Sequence, residues 1–453
     1  MRDIRDSIRD AIDRTVSELE SRPQPVQAAF SSKAVPHLPS PGITKLLAEA
    51  KAKLDKIENK QIHEGFVHTE DPDVALLLSA LESAAPVTKD IPSFAGPGGS
   101  IIGVHKYDQT DPRWILSALN MLVNEKVPFP QPSGPDDQEI ALPDQDLTMA
   151  VSGDWGTGLY SSNQIAKCMA GHNPDLTLHI GDVYYSGTPA EVQSKFIGRF
   201  PAGKLGSFAL NSNHEMYCGG HGYFGVTLKD PEFAQQRAKS FFSLQNKTWQ
   251  IIALDTAYEA HEADLYQRGV LGQQQLGWFS AQLAKAAAAG RKVVLFTHHN
   301  PVSVNGPGAT NKDIDQNMMN QLFAAAGMAG AMFDYWFFGH EHAVAVYEPM
   351  QWQHKMVKPR CIGHGGVPYV PSELGDKGAG IKVTWTEMEH YAIGKGDPAC
   401  GLNGFAMLTL PLAGGDIVEN YYDDSDRLRY TCGVAAKISI TKDAPGPQPA
   451  AEL

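Results

Sequence analysis

Three things are scarce in this 453-residue sequence, and each scarcity removes a class of function. Cysteine is one: Cys168, Cys218, Cys361, Cys400 and Cys432 are odd in number, widely scattered and free of any CxxC pair. That pattern predicts reduced thiols in a cytoplasmic protein rather than a disulfide framework. Positive charge is another. With 38 Lys and Arg against 51 Asp and Glu, the formal net charge is -13, which argues against non-specific nucleic-acid binding. Long apolar runs are the third. The longest, "AAAGMAGAMFDYWFFG", is broken by Asp334 and glycines and is too short for a membrane span. The opening "MRDIRDSIRDAIDR" has no apolar core, so no secretory signal is expected there.

Apolar residues make up 42% of the chain, beside 43 glycines and 30 prolines, enough for a sizeable core and many shaped loops. Ile4, Ile8, Ile12, Val16 and Leu19 fall at helical spacing over 3–20. This amphipathic helix either docks on its own core or joins copies into a homo-oligomer. "SRPQPVQ" and "AVPHLPSPG" read as Pro-rich linkers. Further helices are expected at about 43–60, 72–84 and 112–125. A boundary is expected in the polar, proline-rich segment 127–146. The chain thus divides into a mainly helical region 1–145, a core domain 146–440 and a disordered tail 441–453. In the core domain, short apolar runs alternate with helical stretches such as "QQQLGWFSAQLAKAAAA", which predicts an α/β fold.

What ends each apolar run carries the chemistry. "MAVSGDWG" delivers Asp154, "LHIGDVYY" Asp182, "ALNSNHE" Asn213 and His214, "VLFTHHNP" His298 and His299, and "WFFGHEH" His340 and His342. Open α/β sheets bind ligands beyond the carboxyl ends of their strands, so these residues are expected to converge. Carboxylate, imidazole and amide oxygen suit Fe, Zn or Mn. Seven or eight donors exceed one tetrahedral ion and match two ions about 3.5–4 Å apart sharing a carboxylate.

The motifs DxG (154–156), GDxxY (181–185), SNHE (212–215), FTHHNP and GHEH (339–342) resemble, in order, those of the calcineurin-like metallophosphoesterases. The resemblance spans roughly 147–345. It implies an αββα sandwich, two packed mixed sheets flanked by helices, here with a mainly helical N-terminal extension. Many members carry DxH where this sequence has Gly156. The purple acid phosphatase branch makes the same change and supplies the tyrosine of GDxxY, a position held here by Tyr185 and not by Tyr184.

By that resemblance the first metal takes Asp154, Asp182, Tyr185 and His342, and phenolate favours Fe(III). The second, a divalent Fe, Zn or Mn, takes Asp182, Asn213, His298 and His340. The implied reaction is phosphoric ester hydrolysis by in-line attack of a metal-bridging hydroxide. In it His214 assists the leaving group and Glu215 supports His214. Monoester, diester and inactive-scaffold readings stay open. One departure is Ser212 in place of the motif glycine. Plant-type purple acid phosphatases also carry a β-sandwich before the catalytic domain and are secreted; neither is expected here. His221, Tyr223, His299 and His364 are candidate contacts for a small phosphate ester, whereas His179 reads as a core histidine and His261 as a solvated loop residue.

Overall fold

The computed structural model describes residue 121 and residues 124–262, 265–301, 312–352, 355–369, 382–391 and 400–433. The helices expected at 3–20, 43–60 and 72–84, most of the one at 112–125, and the tail lie outside the described residues.

In chain order the elements are β1 (Glu139–Ala141), β2 (Leu147–Ser152), α1 (Tyr160–Gly171), β3 (Leu176–His179), α2 (Pro189–Lys195), β4 (Gly206–Ala209), α3 (Asn213–Met216) and α4 (His221–Gly225). There follow β5 (Phe242–Gln245), β6 (Trp249–Ala253), α5 (Gln273–Ala288), β7 (Lys292–Thr297), α6 (Lys312–Ala329), β8 (Tyr335–Phe338), β9 (Val344–Tyr347), β10 (Met350–Trp352) and β11 (Lys355–Ile362). Last come β12 (Val383–Thr386), β13 (His390–Tyr391), β14 (Cys400–Gly401), β15 (Gly404–Leu410), β16 (Val418–Asp423) and β17 (Leu428–Cys432).

Among the described residues these form two mixed sheets and a small β13-β14 pair. One runs β1-β5-β6-β7-β8-β11-β9-β12, with β10 on β11; the other runs β17-β16-β15-β2-β3-β4. In the first, β6, β7, β8 and β11 are successively parallel. In the second, β2, β3 and β4 are parallel.

The strand sequences explain the layering. Side chains alternate between faces, so a strand apolar at every position is buried on both sides. On β7, Val294 and Phe296 face the other sheet while Val293 and Leu295 face the helices. Met149, Val151, Leu178, Phe208, Ile251 and Phe337 fill the layer between the sheets. Leu276, Phe279, Leu283, Leu322 and Phe323 cover the outside of the first sheet. Ile165, Met169, Val192 and Phe196 cover the outside of the second. The result is helix, sheet, sheet, helix.

A buried ion pair crosses the sandwich. Arg360 on β11 donates through Nε (2.6 Å) and Nη2 (3.0 Å) to Glu419 on β16, which also accepts from the Tyr421 hydroxyl at 2.7 Å. The segment 127–146 is part of the sandwich, since β1 pairs in parallel with β5. Trp278 and Gln282 on α5 donate to the carbonyls of Asp137 and Pro135. Cys168, Cys218, Cys361 and Cys432 are free thiols. His179 is packed among Trp155, Phe196 and Phe200, where burial lowers its pKa to about 3. Among the described residues no helix is long and apolar enough to cross a membrane.

Candidate metal centre

The carboxyl ends of β2, β3 and β4 in one sheet and of β7 and β8 in the other open onto a common edge. Asp154, Asp182 and Asn213 arrive from the first group; His298, His340 and His342 arrive from the second. Three of these have left-handed backbones: Asp154 (φ 56), Asp182 (φ 79) and His340 (φ 69). Such a conformation costs about 1 kcal/mol or more for a residue with a Cβ, and it turns each side chain sharply off its strand. Backbone bonds hold the turns. Asp154 donates its amide to the Gly181 carbonyl, Gly156 to the Asp182 carbonyl, and Gly339 to the His298 carbonyl, each at 3.0 Å. A Cβ at Gly156 would lie 2.6 Å from the Asp182 carbonyl oxygen. The loops after β2 and β3 therefore zip together too closely for a histidine at 156.

Asp154, Asp182 and His342 can each direct a ligand atom into one cluster, all within 4.8 Å of one another. Nε2 of His342 is 3.6 Å from Asp154 Oδ1. The hydroxyl inside this cluster is that of Tyr184. It lies 2.7 Å from Asp182 Oδ2, 3.2 Å from Asp154 Oδ1 and 3.0 Å from His342 Nε2. The motif spacing assigned that place to Tyr185; the structure puts the Tyr184 hydroxyl there. Capping of α2 explains the turn. Thr188 caps the helix, Pro189 begins it, and Glu191 closes the capping box. Its carboxylate also accepts the amides of Tyr185 and Ser186. Lys195 reaches back to the Tyr184 carbonyl and lies over the Tyr185 ring, 5.2 Å from its centroid.

Beside this cluster is a second group. His298 donates through Nδ1 to the Ile180 carbonyl at 2.8 Å, which turns Nε2 inward. Nε2 lies 2.8 Å from Asn213 Oδ1 and 3.3 Å from Asp182 Oδ1. His340 lies edge-on nearby, its ring 5.1 Å from that of His298. Asp182 Oδ1 is buried and has no hydrogen-bond partner. A buried carboxylate oxygen without a donor is costly, and a cation resolves it. Asp154, Asp182 and His342 thus form a group that could hold a metal ion, with the imidazole of His298 and the amide of Asn213 beside it.

The electrostatics point the same way. Burial and the charge of Asp182 push the Asp154 carboxyl well above the usual range. Burial also opposes ionisation of Asp182, but the imidazoles of His214 and His298 outweigh it and hold this carboxylate ionised. Burial pushes the Tyr184 phenol well up, reinforced by both aspartates. His340 is pushed well down by burial and its imidazole neighbours, and His342 falls to about 4 through burial. These imidazoles are neutral and able to ligate.

His214 donates through Nδ1 to the Tyr185 carbonyl at 2.7 Å and sets Nε2 3.6 Å from Asp182 Oδ2. Glu215 does not contact it as a hydrogen-bond partner. Its carboxylate instead accepts the amides of Asp182 (3.3 Å) and Val183 (3.1 Å), together with the Ser212 hydroxyl. Ser212 also accepts from the amides of Asp182 (3.2 Å) and His214 (3.1 Å). The serine that departs from the motif is thus a cap that ties α3 to the Asp182 turn.

The expected substrate contacts fare differently. Tyr223 is buried and donates its hydroxyl to the Ala209 carbonyl, so it belongs to the core. His299 donates through Nε2 to the Tyr266 carbonyl and accepts at Nδ1 from the Thr256 hydroxyl. Both its nitrogens are committed to the fold. His221 is exposed, and its Nε2 meets the Glu125 carbonyl. His364 is buried, with Nδ1 unpartnered and its pKa lowered to about 3 by burial. His261 is exposed, as expected of a loop residue.

Residues 147–344 match the family described as calcineurin-like phosphoesterase. The chain carries a calcineurin-like phosphoesterase domain. The matched domain is that of a metal-dependent phosphoesterase family. Comparison with curated proteins finds no match. Among solved structures this chain is similar to a purple acid phosphatase from yellow lupin seeds, at 14% identity and a TM-score of 0.46, covering 64% of this chain and 54% of that one. It is also similar to a dimetal phosphatase from Danio rerio, at 12% identity and a TM-score of 0.40, covering 61% and 96%. A third likeness is to GAP50, described as the anchor in the inner membrane complex of Plasmodium. There the identity is 13% and the TM-score 0.43, over 65% and 90% of the two chains.

Proposed function

We propose that this phosphoesterase hydrolyses phosphoric esters with two metal ions. Asp154, Asp182, Tyr184 and His342 would hold one, and Asp182, Asn213, His298 and His340 the other. The observation that carries the reading is the buried Asp182 Oδ1, which has no hydrogen bond and lies 3.3 Å from His298 Nε2, between two groups of inward-facing donors. When bound, the ions would supply charge stabilisation and a nucleophile at neutral pH.

The remaining chemistry belongs to the chain. Tyr184 must give up its phenolic proton to become an anionic donor, and a phenolate favours Fe(III) at the first position. A divalent Fe, Zn or Mn suits the nitrogen-rich second position. His214 faces the same edge with Nε2, and burial lowers its proton affinity. A dianionic ester beside Nε2 raises its proton affinity, the sign required of a leaving-group donor. Glu215 and Ser212 act one step back by holding the Asp182 turn.

Metal analysis, the visible spectrum and turnover of an aryl monophosphate against its bis-aryl diester test this together. About two ions per chain, iron among them, with a charge-transfer band lost in Tyr184→Phe and kept in Tyr185→Phe, is the expected result. Loss of the band in Tyr185→Phe with retention in Tyr184→Phe would return the assignment to position 185. Absence of stoichiometric metal after reconstitution would overturn the hydrolase reading.

A further inference from the structure

We propose that Tyr217 is a positioning residue for the second ion, fixing which end of the Asn213 amide faces it. The inference rests on the two-ion reading above. A carboxamide has two ends of opposite character. Only Oδ1 can ligate a cation, and an inward Nδ2 would repel it. Here Oδ1 faces His298 Nε2 at 2.8 Å, while Nδ2 donates to the Tyr217 hydroxyl oxygen at 3.1 Å. Tyr217 stands four residues after Asn213, at the end of α3, so one helical turn brings phenol and amide together. It is only 2% exposed, and its ring packs edge-on against His214 with centroids 4.9 Å apart.

The phenol oxygen also accepts from Gln267 Nε2 at 3.0 Å. Gln267 follows Tyr266, whose carbonyl accepts from His299, and the His299 ring lies 4.9 Å from that of His340. One short loop therefore abuts the second ligand group twice. It reaches Asn213 through Tyr217 and stands behind His340 through His299. No residue of the first group is reached by these contacts. Partners behind metal ligands typically change affinity by about 10–100-fold, and this arrangement confines the effect to one ion.

The test is calorimetric titration of the metal-stripped full-length chain with Mn2+, in wild type, Tyr217→Phe and Gln267→Ala, with thermal unfolding of each stripped protein. Phenylalanine keeps the ring and its packing but removes the acceptor. Two binding steps in wild type, with Tyr217→Phe weakening only the second by about 10–100-fold and Gln267→Ala weakening the same step less, would support the inference. Two unchanged steps in Tyr217→Phe would overturn it and leave the two-ion reading intact. Fewer than two steps in wild type would overturn both. Equal weakening of both steps would make Tyr217 a structural residue and overturn the inference. If Tyr217→Phe does not fold, Gln267→Ala decides: selective weakening of the second step supports the inference, and no change overturns it.

Discussion

Replacing Glu419 by glutamine leaves the shape of the inter-sheet layer and removes one charge. Glu419 is 1% exposed and Arg360 6%. The guanidinium reaches Glu419 through two bonds of 2.6 and 3.0 Å and spends Nη1 on the Tyr347 and Pro359 carbonyls. The variant strands a buried cation opposite an amide whose NH2 repels it. Breaking a buried pair in this way costs about 3–5 kcal/mol. Unfolding entropy of ~2.1 cal/mol/K per residue over ~280 residues is ~0.6 kcal/mol/K, so the melting temperature should fall by about 5–8 °C. Differential scanning calorimetry of stripped protein reads this directly. The double variant Arg360→Met, Glu419→Leu should recover most of the loss, because neither charge is then buried. Glu419→Gln melting within a degree of wild type would refute the claim that this pair is desolvated and coupled.

Tyr184→Phe should lower affinity for the first metal ion and leave Tyr185→Phe as the near-neutral control, read by metal titration and the visible band. Ser212→Ala removes a helix cap and an acceptor for the Asp182 amide, and should cost about 1–2 kcal/mol in chemical denaturation. Burial opposes ionisation of Asp137, but the Ser133 amide and Lys239 outweigh it and hold its pKa down at about 2, from an ordinary 3.8. A depressed carboxylate stabilises above its ordinary pKa and loses that contribution as pH falls through the lowered one. The stability gap between wild type and Asp137→Asn should therefore be full above pH ~4, about 1–2 kcal/mol after screening, and shrink toward pH ~2.

Much of the sandwich was legible because its central strands are apolar on both faces. "KVVLFT" and "YWFF" admit no other burial, and the donors sit where those runs stop. The outer antiparallel strands were not legible in the same way. β16 reads "VENYYD", with Glu419 turned inward only because Arg360 meets it from 59 residues away. β1 hid in a proline-rich stretch, since its pairing with β5 is set about 100 residues downstream. The tyrosine position differs between motif and structure for a related reason. Two tyrosines stand side by side, and motif spacing counts residues without knowing how the α2 cap turns the chain. His299 and Tyr223 looked available because a sequence displays a side chain's chemistry but not the carbonyl that has already claimed it.

The donor groups come from both sheets, and this gives the edge a mechanical meaning. Apart from the Arg360–Glu419 pair, the inter-sheet layer is mostly greasy contact, which resists separation well and sliding poorly. Ions seated between Asp154, Asp182 and Asn213 on one side and His298, His340 and His342 on the other would act as rivets at one margin of the sandwich. Loading them would then stiffen shear between the sheets, and withdrawing them would loosen both strand ends at once.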